Sequence, residues 1–439
     1  MLRGIRKIRL SVEDSSLTHY GGMVLFQQFC RKLDLKRYLQ NYIRWERRDS
    51  QYHPAQLILT MLYTMVAGMK RISDTRILHY NGYFQALLGL SDFPGSSTLR
   101  EFLKSLTAQE IEGLRRIHDL LRHTIYKMTG TSSSLILELD STVLPLFGYR
   151  IEKAKIGYNP KKPGRPSYHP LLCFEGRTRT LWHGVLRPGN THAITGIEVF
   201  FKECLNKIPP YLYRIRLRAD AGFFDHALIE MLDEAKIGYV IVGKMTRPIQ
   251  EKIQTLCYRT FRQDGWQAAS LTYQPHNFKR PQRFIIIRRP QEQDDNEQLT
   301  LFKFKNYFYH VFITNLDLPA PSIWHFYRKR ARVELDIREL KEGFPLGKIP
   351  SNSFLANQAH FHLILLAYDL VQWFKCLCLP PRWKSSTLQT IRTELLVLPA
   401  RLVYSGGVNE LKIPPGYIHY KLFDQALKSI ERLKIRKNG

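Results

Sequence analysis

Between Ser134 and Lys244, short β-rich runs alternate with amphipathic stretches, and that alternation leaves few architectures open. "SLILELD", "YHPLLCFEG" and "TLWHGVLRPG" read as three strands, the last two joined through the turn-like "RTR". "AITGIEVFFKECLNKI" has helical periodicity, "YRIRLRAD" alternates as a strand, "FDHALIEMLDEAKIG" is amphipathic and "YVIVGK" is a buried strand. The order β-β-β-α-β-α-β predicts an α/β sheet of mixed strand directions. No GxGxxG or GxxxxGK(S/T) loop interrupts it, so no nucleotide cofactor is expected.

The flanks differ in character. Residues 1–130 look helical, with Pro54 placed to start "HPAQLILTMLYTMVAGM" and Ser96, Ser97 or Thr98 placed to cap the helix of "STLREFLKSL", with Glu101 in position for a capping box. Short arginine-bearing helices of this kind suit either a DNA-binding helix-turn-helix region or a structural bundle. The core then occupies residues 131–245. Residues 246–319 suggest β-hairpins without a helix, from "RFIIIRRP" through the polar "QEQDDNEQ" to "LTLFKFKNYFYHVFITNL", and read as a β-rich insertion. Residues 320–380 return to the core, and 381–439 form a basic helical tail. The apolar stretch "FHLILLAYDLVQWFKCLCL" is interrupted by Asp369 and Lys375, which favours a buried helix over a membrane span.

The chain has 66 lysines and arginines against 38 acids, a formal net charge of +28 over 439 residues. So much self-repulsion in a folded chain calls for a polyanion, and nucleic acid is the first candidate. The basic residues are spread along the chain and do not form one membrane-binding tail, so no membrane partner is expected. Of the six cysteines only Cys376 and Cys378 are close, and no second pair completes a zinc site. With no apolar leader at the N-terminus, a cytoplasmic protein is expected.

Asp140 in "LELDST" and Asp220 in "RADAGFF" each end an expected strand. Carboxylates at strand ends, with a third on a later helix, form a hard-oxygen set suited to Mg²⁺, with Mn²⁺ as a substitute. Two such ions would stabilise the attacking and leaving oxygens of a phosphoryl displacement. Glu334 supplies the third acid, in the basic stretch "WHFYRKRARVELDIRELKEGF". On one continuous helix, Tyr327, Arg330, Glu334 and Lys341 fall in a single stripe with Arg338 beside it. Their cations would bind phosphates and the tyrosine would stack or donate. Alone, each acid also reads as a turn former or surface ion pair, and Glu138 shares a strand face with Asp140 and could be the ligand instead.

Together these residues resemble a known family. The spacing of Tyr327, Arg330, Glu334 and Lys341 matches the YREK signature of bacterial insertion-sequence DDE transposases, and "KIGYNPKKPGRPSYHPLL", "LRPGNTH", "LRADAGFF" and "GYVIVGKMTRP" are similar to the subgroup called transposase DDE domain group one. The resemblance implies a ribonuclease-H-like core, interrupted by a β-rich insertion, with Asp140, Asp220 and Glu334 binding two divalent metals. It implies cleavage at transposon ends, attack of the freed 3′-hydroxyl on target DNA, and a homodimer pairing two ends within the bacterial nucleoid. Positions 221 to 333, between Asp220 and Glu334, leave room for the insertion. By the same resemblance Tyr327, Arg330 and Lys341 contact DNA and Trp266 stacks on a flipped base. Lys161, Lys162 and Arg165, in a proline-rich loop near Asp140, suit a phosphate clamp, and Asn190 and His192 could approach the site. A nuclease of the same fold, or a decayed DNA-binding remnant, are the rival expectations.

Overall fold

The computed structural model describes residues 10–435 apart from 12–13, 15, 46–50, 80, 82–83, 91–92, 130–132, 149, 161, 291–301 and 305. Lys161 and the "QEQDDNEQ" turn therefore lie outside the described residues. The chain divides into two compact units, residues 1–125 with 339–439, and residues 126–338.

The first unit is mainly helical. Its longest helix, Phe354–Cys378, has the length and hydropathy to cross a membrane, yet 89% of its apolar window is buried within the protein. Its two charges are satisfied there: His118 Nε2 lies 2.7 Å from Asp369, and Lys375 donates to the Ser386 carbonyl at 2.8 Å. A helix apolar all round with paired charges is a core helix. Pro54 opens the helix Pro54–Ala67, where a missing N–H costs nothing. The expected serine or threonine cap is corrected: the next long helix runs Ser96–Ser105 with Gly95 as its N-cap, and Glu101 pairs with Lys104 at 2.9 Å.

The second unit is built on one mixed sheet, ten-stranded among the described residues. Its strands are β1 (Ser134–Ser141), β2 (Leu171–Glu175), β3 (Leu181–Val185), β4 (Arg214–Ala219), β5 (Gly238–Val242), β6 (Arg259–Thr260), β7 (Gln267–Tyr273), β8 (Gln282–Pro290), β9 (Phe302–Phe304) and β10 (Tyr307–Thr314). They lie in the order β6-β7-β8-β10-β5-β4-β1-β2-β3, with β9 paired to β10. The three central strands β1, β4 and β5 are parallel, and all the others pair antiparallel. Helices Ile197–Asn206 and His226–Glu234 follow β3 and β4, as the alternation predicts.

Both faces of the sheet are buried, and the period of two divides the side chains between them. Tyr239 and Ile241 of β5 and Phe284 and Ile286 of β8 join the core with those two helices. Their neighbours Val240, Val242, Ile285 and Ile287 pack on the opposite side with Ile323 and Trp324. The segment 246–319 does not close on itself: β10 pairs with β5, so the insertion strands continue the core sheet. It also holds one short helix, Arg247–Lys252, where only hairpins were expected.

Candidate active site

β1 and β4 are parallel neighbours with Leu139 opposite Ala219, which brings Asp140 and Asp220 side by side at the carboxyl ends of the two strands. Each aspartate spends one oxygen locally. Asp140 Oδ1 accepts from the Ser141 N–H at 2.7 Å, and Asp220 Oδ1 accepts from the Gly222 N–H at 2.9 Å, capping the short turn Ala221–Phe223. The second oxygens converge on one cation. Arg330 Nη2 lies 3.3 Å from Asp140 Oδ2 and 3.3 Å from Asp220 Oδ2, and donates to the Leu139 carbonyl at 3.0 Å. Burial pushes Asp140 up to about 6 against the pull of Arg330, and the carboxylates of Asp220 and Glu334 add to the rise. That Glu334 is felt at Asp140 places all three acids in one electrostatic neighbourhood.

The single helical stripe expected from the sequence is corrected. Helix Ala320–Arg328 ends at Lys329, and a second helix, Ala331–Glu342, begins after Arg330. Arg330 sits in the joint, its N–H bonded to the Tyr327 carbonyl at 2.8 Å, and its side chain is buried beneath the carboxylates. Glu334 lies on the first turn of the second helix, exposed at the rim. Burial first, then the Asp220 and Asp140 carboxylates, push the Tyr327 hydroxyl up to about 12, so it stays a neutral donor beside Arg330. Arg338 follows Glu334 by one turn and is exposed, and Lys341, half-buried, is on the last turn within the other unit.

A second tier supports the aspartates. Two residues before each, Glu138 and Arg218 stand opposite one another and form a buried ion pair. Burial raises Glu138 to about 7 and lowers Arg218, and the attraction between the two opposes both shifts. Arg218 Nη1 also donates to the Phe326 carbonyl at 2.6 Å, tying this tier to the helix that leads into Arg330. Gly176 closes over the pair, where an added Cβ would come 2.6 Å from Arg218 Nη2. On the Glu334 helix, Asp336 accepts from Arg179 Nε at 2.7 Å, which fixes the helix to the β2–β3 turn. The alternative ligand Glu138 is thus engaged by Arg218.

Asp220, Tyr327, Arg330 and Glu334 open onto a cavity of about 590 Å³ whose other wall comes from the insertion. Trp266 is there, 4.7 Å between ring centres from Trp324 and stacked on His310 at 6.1 Å. Arg262 and Arg289 lie 6.0 and 5.5 Å from the Trp266 ring centre, and Arg328 lies 4.4 Å from that of Trp324. Arg262, Arg289, Arg328, His310 and Trp324 were not singled out from the sequence. They come from four separate segments, and only Trp324 and Arg328, four residues apart on one helix, are linked by a local spacing. Burial and the Arg289 charge hold His310 down at about 4, so it is a neutral ring in the wall.

Lys162 and Arg165 lie outside this cavity, both over the ring of Phe147. Asn190 and His192 are exposed in the loop after β3. That loop is organised by the buried Arg187, which donates to the carbonyls of His169, His192, Ala193 and Thr195. Among the described residues no three His, Cys, Asp or Glu side chains are drawn together tightly enough to share one cation as they stand; Arg330 is what joins the two aspartates.

Among solved structures the chain is similar to a piggyBac transposase synaptic complex with hairpin DNA, at 15% identity and a TM-score of 0.42, covering 95% of this chain and 83% of that one. No match is found among curated proteins. The family model described as transposase DDE domain group 1 matches residues 2–435, a span that takes in Asp140, Asp220 and Glu334 together, and the chain belongs to that family.

Proposed function

We propose that the protein is a DNA transposase that cuts the ends of its element and joins the freed 3′-hydroxyl to target DNA. The observation that carries this reading is the pair Asp140 and Asp220 on adjacent parallel strand ends, with Glu334 on the rim of the cavity onto which Asp220 opens. The strand order β3-β2-β1-β4-β5, with β1 to β3 antiparallel and β4 and β5 parallel to β1, supports a ribonuclease-H-like core.

The donor set fits a hard divalent cation. Two of the carboxylates already attract a positive charge, and burial with like-charge crowding leaves Asp140 short of one. Asp140, Asp220 and Glu334 would hold Mg²⁺ or Mn²⁺, two ions in all. Such ions, when bound, stabilise charge on the attacking and leaving oxygens of a phosphoryl displacement. In the first displacement water attacks the phosphate at the element end and the 3′-oxygen leaves; in the second that 3′-hydroxyl attacks a target phosphate and the target strand's own 3′-oxygen leaves. The protein forms no covalent bond in either.

The side chains position the DNA. Arg330 and Tyr327 neutralise and donate beneath the scissile phosphate, and Arg338, Lys341, Lys162 and Arg165 take neighbouring phosphates, Lys161 being assigned with them. Trp266, backed by Trp324 and ringed by arginines, offers a face for an unstacked base. A homodimer would pair two element ends, with the helical N-terminal region reading their repeats, in a bacterial nucleoid.

The test compares wild type with Glu334→Gln on DNA carrying the element's own flanking ends, with Mg²⁺ or Mn²⁺. End cleavage and joining by wild type, with binding alone by the variant, is the expected result. Equal cutting by both removes Glu334 from the site, and binding without cutting by both leaves a DNA-binding remnant.

A further inference from the structure

After Asp140 the chain does not enter β2 directly. It first builds a small antiparallel sheet from Leu144–Pro145, Pro166–Tyr168 and Lys155–Ile156. The sheet is firmly made. The Leu146 N–H donates to the Pro166 carbonyl at 2.9 Å, and the Tyr168 hydroxyl donates to the Glu152 carbonyl at 2.7 Å. Gly157 lies so close to the loop after β3 that an added Cβ would come 2.0 Å from the Gly189 carbonyl oxygen. Any side chain there would force the two loops apart.

Large exposed apolar side chains grouped in one short stretch and flanked by polar groups are candidates for contact with a partner. Here Phe147 is 73% exposed, Tyr158 77% and Ile156 62%. Two cations sit against the Phe147 ring. Lys162 Nζ lies 4.8 Å and the Arg165 guanidinium carbon 4.6 Å from the Phe147 ring centre, and Arg150, Lys153 and Lys155 are exposed nearby in the chain. Cation–π contact holds ring and cations in a fixed relation, so little order is left to impose on binding. Aromatic faces between fixed cations match a polymer that alternates flat rings with anions.

We propose that this platform binds duplex DNA beside the cleavage site, the Phe147 ring wedging at a base step while Lys162 and Arg165 take the flanking phosphates. The inference rests on the DNA-cutting reading above and adds a contact surface to it. The ring acts through stacking and the cations through counterion release, and the two respond differently to salt.

The test measures binding of a mixed-sequence duplex by fluorescence anisotropy across a salt series, with 2-aminopurine reporting unstacking. Phe147 is exposed, so Phe147→Ala is expected to melt as wild type does. It should bind about tenfold more weakly, in the range of one lost stacking contact, with the salt slope unchanged and the 2-aminopurine signal lost. Lys162→Gln should weaken binding and lower the slope by about 0.9. Wild-type affinity in both variants overturns the platform, and if wild type still cuts element ends, the transposase reading stands without it. Loss of self-association by Phe147→Ala with DNA affinity intact assigns the surface to a second copy and also overturns the proposal. If wild type neither binds nor cuts DNA, both readings fall.

Discussion

Glu138 and Arg218 face one another across adjacent parallel strands, each two residues before an aspartate of the candidate site. Both side chains are buried, so removing one partner strands the other's charge. Arg218→Met alone should cost about 3–5 kcal/mol in urea unfolding. The double variant Glu138→Leu with Arg218→Met should recover most of that stability, because an apolar pair of similar volume replaces the ions. It should not recover DNA cleavage, since the bond to the Phe326 carbonyl is gone. Full activity in the double variant would reduce the pair to a strand cross-link.

Arg330 joins two carboxylates that would otherwise repel, one buried (Asp140) and one half-exposed (Asp220). Arg330→Gln should therefore melt below wild type without divalent ions. Added Mn²⁺ should raise its melting temperature by more than it raises that of wild type, since the ion then replaces the guanidinium. Calorimetric Mn²⁺ titration should show tighter binding in the variant. Equal Mn²⁺ responses would mean that arginine and ion do not compete.

Burial holds His310, and separately His360, near a pKa of about 4, below the ordinary histidine value of 6.5. Between those values the unfolded chain binds more protons than the folded one, so stability falls as pH drops from 6.5 toward 4. Each ring accounts for roughly 3 kcal/mol across that window. Urea midpoints measured from pH 7 to 4 should fall less steeply in His310→Gln. An unchanged slope would mean that His310 titrates normally.

Trp266→Ala should weaken binding to element-end DNA by about 1–3 kcal/mol, and Trp266→Phe should restore part of it, because any aromatic face can stack. Anisotropy titrations decide this. If Phe performs no better than Ala, the tryptophan is only part of the cavity wall beside Trp324.

The parts of this protein legible in the sequence are those with local grammar. Alternation from Ser134 to Lys244 gave the strand and helix order, and an acid following a strand marked Asp140 and Asp220. The joint at Lys329 and Arg330 carries neither Gly nor Pro, and the helix breaks where Arg330 is drawn beneath two aspartates that are distant in the chain. The helix at Ser96 starts earlier than its serines suggest, because Gly95 takes the cap and Ser96 is already helical. Arg262 with Trp266, and Trp324 with Arg328, are each four residues apart, but the two pairs and Arg289 meet only after β7, β8 and a helix are assembled, so no single window of sequence could group them all.

The pairing of β10 with β5 has a consequence for solubility. Without residues 246–319, β5 would be the outermost strand of the parallel core, a run of Tyr239, Val240, Ile241 and Val242 with its hydrogen-bonding groups open to any passing strand. A core trimmed of its insertion would therefore aggregate along that margin, and the insertion protects the core sheet from self-recruitment as well as walling the cavity.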